Sequence, residues 1–295
     1  MKSDQPSRTA VRVALRRATH QLIDRPLVFE DALALRVLGA RWRAAIETDP
    51  HRFDRGWFAR YLRAFLAARS RFAEEHLAAA IARGVRQYVL LGAGYDTSAL
   101  RFGAAHPELR AFEVDHPATQ RVKRARLAEG GVGTPSNVAY VPVDFERHKL
   151  PAALAAAGFD AGAPTYFAWL GVTMYLTRTA FEETLRFVAA RPAGSGVTFD
   201  YSVAPRLLNL PRRIAYELVA LRLRLIGEPW ILAFVPDELT RELKAAGFGR
   251  VENLSEGELN PRYFAGRSDG LRVGGTARIV YAEVGARPKP PNPSP

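Results

Sequence analysis

Two groups of residues in one stretch of the chain have the types and spacing to hold a nucleotide-like cofactor. In Q-Y-V-L-L-G-A-G-Y-D, Gly92, Ala93 and Gly94 close the short apolar run 88–91. Such a run reads as a fully buried strand. Glycine then allows a tight turn with room for a ligand, and a helix can start near Asp96 and Thr97. About twenty residues on, A-F-E-V-D ends a second apolar run in Glu113 and Asp115, acids able to accept hydrogen bonds from ribose hydroxyls. The third glycine of G-x-G-x-x-G is missing, which disfavours a dinucleotide. Either feature alone fits a ligand-free turn or a solvated strand end. In register, one βαβ spacing apart, they point to a cofactor.

A shorter glycine loop with an acid after the next strand is the pattern of S-adenosylmethionine methyltransferases. The elements needed to position these residues are legible along the chain. Residues 9–83 read as helical, with one helix starting at Pro26 and ending at Gly39. Strands are predicted at 87–91, 110–114, 138–143, 165–169 and 196–201, with helices at 97–102, 117–128, 148–157 and 178–190. This alternation calls for a parallel sheet with helices on both faces. Residues 203–235 break the rhythm as an amphipathic helical insertion, interrupted by Pro205 and Pro211. It suits a lid above the carboxyl ends of the strands, a surface helix pair or a homodimer contact. A helix at 236–246 and strands at 250–254 and 277–284 complete a seven-stranded sheet. The expected division is a helical cap at 1–84, a cofactor-binding domain at 85–284, and a disordered proline-rich tail at 285–295.

The chain has 295 residues, 48% of them hydrophobic, enough for one large domain with a cap. It has no cysteine, which excludes disulfides, thiolate metal sites and a cysteine nucleophile. No apolar run approaches a membrane span and the first residues lack a signal-peptide core, so a cytoplasmic protein without a membrane partner is expected. The formal charge of +12 is spread over the chain, without basic blocks or basic–aromatic interleaving, and so gives no case for nucleic acid. No metal site is expected.

From about Thr9 to Val284 the chain resembles the leucine carboxyl methyltransferase-like class I methyltransferases, in particular their bacterial branch. The matching segments are T-A-V-R-V-A-L-R-R-A-T-H, A-A-R-S-R-F-A-E-E, L-G-A-G-Y-D-T-S-A-L-R-F, F-E-V-D-H-P-A-T-Q-R-V-K, V-P-V-D-F-E-R and W-L-G-V-T-M-Y-L-T. The resemblance implies a Rossmann-like α/β fold and S-adenosylmethionine as cofactor, with S-adenosylhomocysteine as product. It places Arg69 on the cofactor carboxylate, where a planar guanidinium can grip two oxygens. It puts Gly92, Ala93, Gly94 and Asp96 against the methionine part and Glu113 or Asp115 on the ribose. Asp144 and Phe145 fall at the adenine, Trp169 and Leu170 at the stretch after strand four. Leu170 stands where many relatives carry a glutamate that can face the cofactor ammonium.

With a sulfonium methyl as electrophile, the enzyme's main task is alignment of the acceptor. None of the six histidines lies in a recognisable base motif, and His116 and His148 read as surface or capping residues. A carboxylate acceptor needs no base, whereas a hydroxyl usually does. Tyr175 and Tyr201, near the carboxyl ends of strands four and five, are the candidates to orient the acceptor, with Arg206, Arg212 and Arg213 of the lid attracting an acid. The expectation is an O-methyltransferase of small molecules in secondary metabolism, carboxylate favoured over hydroxyl. A protein C-terminal carboxyl methyltransferase and a non-catalytic S-adenosylmethionine-binding protein are the alternatives. A base aminomethyltransferase would carry D/N-P-P-Y/F, which is absent.

Overall fold

The computed structural model describes residues 7–143 and 149–286 of the chain. Its strands follow the apolar runs: β1 Gln87–Leu91, β2 Arg110–Asp115, β3 Val138–Pro142, β4 Thr165–Trp169, β5 Gly196–Ser202, β6 Phe248–Leu254 and β7 Ala277–Val284. They form one seven-stranded sheet in the order β3-β2-β1-β4-β5-β7-β6, in which β7 runs antiparallel to both neighbours and the other pairings are parallel. Strand pleating sends alternate residues to opposite faces. Tyr88, Leu90, Tyr166 and Ala168 enter one core, while Val89, Leu91, Phe167 and Trp169 enter the other. Both faces are buried, as a parallel sheet requires.

The helices are α1 Arg8–Ile23, α2 Ala40–Thr48, α3 Trp57–Ala82, α4 Ser98–Ala105, α5 Pro117–Glu129, α6 Leu150–Ala156, α7 Arg178–Ala189, α8 Leu210–Leu225, α9 Pro236–Ala245 and α10 Glu256–Tyr263. Helices α1, α3 and α4 contribute to the first core; α6, α7 and α9 contribute to the second. The chain leaves β1 toward β2 on one side and pairs it with β4 on the other. The switch point of the sheet therefore lies at the carboxyl ends of β1 and β4, where open α/β sheets leave a crevice.

Three local expectations are corrected. The helix expected from Pro26 is absent; only a 3₁₀ turn, Arg36–Leu38, forms. Side chains hold the segment irregular instead. His20 Nε2 accepts from the Val28 and Phe29 N–H groups, both at 3.2 Å. Gln21 brackets Phe29 and Asp31. Pro211 does not interrupt α8 but opens it, in the first turn where its missing N–H costs nothing. Helix α10 was not anticipated, although Ser255 and Glu258 form a capping box at its start.

The insertion between β5 and α9 is tied at its base. Val203 and Phe234 form a bridge, Ala204 N–H donates to Phe234 O at 2.8 Å, and Phe234 N–H donates to Ser202 O at 2.9 Å. The excursion carrying α8 thus leaves and rejoins the sheet at one place. Among the described residues no helix is long and apolar enough to cross a membrane. Of the expected tail, 287–295 lies outside the described residues.

Candidate active site

The glycine loop follows β1 directly. Gly92 and Gly94 take φ of +63° and +51°, a region that other residues rarely adopt. A Cβ on Gly92 would also overlap Val172 from the loop after β4. The two loops at the switch point therefore touch, and a cavity of about 570 Å³ opens above them. The glycine loop, Arg69, Asp96, Asp115 and Leu170 form one set of lining residues, termed the lower half. Thr9 and Val13 of α1, Tyr175, and Glu228 and Ile231 of the insertion line the same cavity and are termed the upper half.

Arg69, near the middle of α3, is 8% exposed, and its Nη1 donates to Asp200 Oδ2 at 2.7 Å. Asp200 at the end of β5 is 1% exposed and also accepts from Gly171 N–H at 2.5 Å. One carboxylate thereby fixes both the guanidinium and the loop after β4. Arg69 Nε is buried and has no hydrogen-bond partner. Arg69 also lines the cavity, and a guanidinium there suits an anionic ligand group.

Asp115 is held by backbone. Gly94 N–H and His116 N–H both donate to its carboxylate, the latter at 2.6 Å. Burial nevertheless pushes its pKa up, against those two donors. Asp96 is pushed up by burial too, but Arg17 and the Ser98 N–H outweigh this and hold it well below the usual carboxylate range. Arg17 spans Asp96 and Asp31, the latter at 2.9 Å, and so ties α1 to the glycine loop. The Tyr95 hydroxyl is buried without a partner, and Tyr95 also lines the cavity.

The upper half is closed by a clasp between the insertion and the start of α1. Glu228 accepts from Ser7 Oγ at 3.1 Å, from Thr9 N–H at 3.1 Å and from the Thr9 hydroxyl. A carboxylate at a helix N-terminus meets free N–H groups and the positive end of the dipole. Tyr175 faces the same clasp. Burial raises its pKa, the neighbouring Trp230 and Thr9 side chains lower it, and the Glu228 charge raises it further.

Several expected site residues stand elsewhere. Glu113 is 0% exposed and paired with Lys123 at 2.7 Å beneath the loop, so it does not reach the cavity. Trp169 stacks on Phe181 in the second core, with ring centroids 5.4 Å apart. Tyr201 is fully buried on that same face, its hydroxyl donating to Asn253 Oδ1 at 3.0 Å. In each case strand parity or depth turns the side chain away. Asp144, Phe145 and His148 lie outside the described residues. His116 caps α5, its Nδ1 accepting from Ala118 N–H at 3.2 Å, and it also lines the cavity. Of the lid arginines, Arg206, Arg212 and Arg213 pair with Glu238, Glu256 and Glu217 at the surface and do not line the cavity.

Reading the sequence missed Asp200, Glu228, Arg17 and Tyr95. Asp200 had a signal, an acid inside the apolar run V-T-F-D-Y. Glu228 had none, since it reaches the cavity through the fold of the insertion. Among the described residues no group of three or more His, Cys, Asp or Glu side chains could hold a metal ion.

A seven-stranded sheet of this order, with a glycine loop, an acid after β2 and a buried arginine around one cavity, defines a class I S-adenosylmethionine-dependent methyltransferase. Residues 10–189 match the family described as leucine carboxyl methyltransferase, and the chain belongs to that family. It is 28% identical to YktD of Bacillus subtilis (strain 168), over 96% of this chain and 99% of that one; the relative's name assigns it S-adenosyl-L-methionine-dependent methyltransferase activity provisionally. A Mycolicibacterium paratuberculosis protein of the same provisional name is 35% identical over 72% of this chain and 70% of its own. Two solved structures share the fold, each with a TM-score of 0.56. One is a protein of Thermobifida fusca described provisionally as a methyltransferase, 18% identical, covering 96% of each chain. The other is a DUF574 family protein of Streptomyces avermitilis, 17% identical, covering 92% of this chain and 96% of that one.

Proposed function

We propose that the protein methylates an oxygen of a small-molecule acceptor held in the upper half of the cavity. The observation that carries this reading is one cavity whose lining joins a glycine loop, a buried arginine and a backbone-held aspartate to residues of α1 and the insertion. The first set offers a buried guanidinium, a glycine loop and that aspartate. These residues fit S-adenosylmethionine: Arg69 on its carboxylate, Gly92, Ala93, Gly94 and Asp96 along the methionine part, Asp115 on the ribose, with Leu170 at the wall. Bound there, the cofactor supplies an electrophilic methyl group on a sulfonium.

The upper half would orient the acceptor. Tyr175 is the candidate donor to the acceptor oxygen. Thr9 and Val13 line it, and the Glu228 clasp supports a lid role for residues 203–235. A cavity of about 570 Å³ is in the size range of small-molecule sites. Nothing in it suits a nucleic acid. A carboxylate acceptor, which attacks as it stands, is the first reading by chemical economy.

A second reading, a hydroxyl acceptor, is favoured by Glu228. A carboxylate beside Tyr175 would repel an anionic acceptor and could take a proton from a neutral one. Product chemistry separates the two. Purified protein is incubated with S-adenosylmethionine and a panel of carboxylic acids and phenols. A product cleaved by mild alkali back to the acid supports the carboxylate reading, and an alkali-stable ether supports the hydroxyl. Methylation confined to nitrogen, protein or DNA would overturn the proposal.

A further inference from the structure

The large aliphatic side chains left in solvent gather on the insertion. Leu210, Ile214, Leu218, Leu221 and Leu225 of α8 are 50 to 79% exposed. Their spacing of four, four, three and four places them on one face of the helix. The opposite face is the packed one, where Leu223 is 7% exposed and Arg212 pairs with Glu256. Leu207 and Ile231, also more than half exposed, extend the apolar surface at either end of the helix in sequence. Monomeric proteins rarely expose an apolar stripe of this length.

Charge frames the stripe. At 100° per residue, Arg222 falls on one border and Arg213 and Arg224 on the other, and all three are exposed. Glu217, paired with Arg213, is the acid of this helix. An apolar face bordered by arginines is the pattern of a helix lying in the plane of a membrane surface, its leucines below the headgroups and its cations at the phosphates.

We propose that α8 is an interfacial helix that docks the protein on an anionic phospholipid bilayer. Residues Gly227, Glu228, Pro229 and Ile231, which follow α8, line the cavity, so docking would bring the lid side of the pocket to the lipid surface. The expectation of no membrane partner rested on the lack of a spanning segment, and an interfacial helix needs none. A second copy of the chain fits the face less well. A helix of 16 residues is about 24 Å long, and pairing two such stripes buries roughly 1,000 Å², below the usual size of a stable interface. Such pairing would also bring two arginine borders together. A net charge of +12 favours an anionic surface instead.

The full-length protein is floated with phosphatidylcholine vesicles containing phosphatidylglycerol, and with phosphatidylcholine alone. Binding to the anionic vesicles, weakened by salt, is expected. The double variant L218E/L225E should lower it by about a hundredfold, since each leucine withdrawn costs at least about tenfold. Its melting temperature and S-adenosylhomocysteine affinity serve as the control for folding. R222E/R224E should remove the preference for anionic vesicles. Wild-type protein that leaves both vesicle types unbound would overturn the proposal, as would wild-type binding by a folded L218E/L225E. A lipid-free dimer that L218E/L225E dissociates would assign the face to a second copy instead and also overturn it.

Discussion

Replacing Arg69 by alanine should have two separable effects. The first is on the cofactor. Arg69 lines the cavity, and a hydrogen bond from a charged donor is worth about 1.5–3 kcal/mol. Affinity for S-adenosylhomocysteine should fall about 10- to 150-fold. The second effect is on stability. Asp200, 1% exposed, would keep the Gly171 N–H but lose its counter-charge. Breaking a buried pair in this way costs about 3–5 kcal/mol, or on the order of 6–10 °C in melting temperature for a chain of this size. The double variant Arg69→Ala/Asp200→Asn removes the stranded charge. It should regain more than about 1 kcal/mol of stability, a coupling typical of residues in contact, while cofactor affinity stays low. Calorimetry reads the first effect and thermal melting without ligand the second. Wild-type affinity in Arg69→Ala would remove Arg69 from the cofactor site. A double variant no more stable than Arg69→Ala would refute the buried-pair argument.

Three further predictions concern groups whose roles the structure separates. Burial pushes the Tyr201 hydroxyl up to about 12, against the lowering effects of Asn253 and Arg278. A raised pKa contributes stability that is whole below the unfolded value near 10 and is lost as pH rises through about 12. Tyr201→Phe should therefore lose about 2 kcal/mol of pH dependence in that window and keep its turnover, and a flat alkaline limb in the wild type would contradict this. Asp96, held low by Arg17 and the Ser98 N–H against burial, contributes stability present above its unfolded value near 3.8 and lost as pH falls through its folded pKa. Asp96→Asn should flatten the acid limb of a stability–pH curve, and an unchanged limb would exclude Asp96 as its source. Glu228→Gln separates the two acceptor readings. With a carboxylate acceptor, removing the nearby charge should lower KM. With a hydroxyl acceptor and Glu228 as base, kcat should fall about 10²-fold or more, and no change in either parameter would take Glu228 out of the acceptor site.

The sheet was legible because its signal is local. Each of the first five strands is a short apolar run closed by a turn, and the structure puts those strands within a residue or so of the expected bounds. The segment after Pro26 was not, because its backbone is satisfied by the His20 and Gln21 side chains of α1, partners outside the segment that outweigh local helix signals. In the site, the legible part was again the glycine loop and the acid at the end of β2, whose places at the cavity follow from position along the chain.

Two of the remaining errors, Tyr201 and Trp169, share one cause, which is parity. Position near the carboxyl end of a strand brings a residue to the right level of the sheet, but the pleat decides its face. On β5, Asp200 turns toward Arg69 while Tyr201, one residue on, turns into the opposite core with Val197 and Phe199. On β4, Trp169 follows Phe167 into that core and leaves Leu170 at the cavity wall. Glu113 and Asp115 share parity on β2, and there depth decides: Lys123 from α5 covers Glu113, while Asp115 meets the Gly94 and His116 N–H groups at the loop. The apolar alternation Val197, Phe199, Tyr201 was present in the linear chain and already implied that Asp200 points the other way. A strand-end tyrosine is therefore a weaker candidate than an acid of opposite parity beside it, because the acid must find a partner and the tyrosine can join the core. That partner is Arg69, and the pair stands at the junction of α3, β5 and the loop after β4, where the loss of either member is expected to register both in binding and in folding.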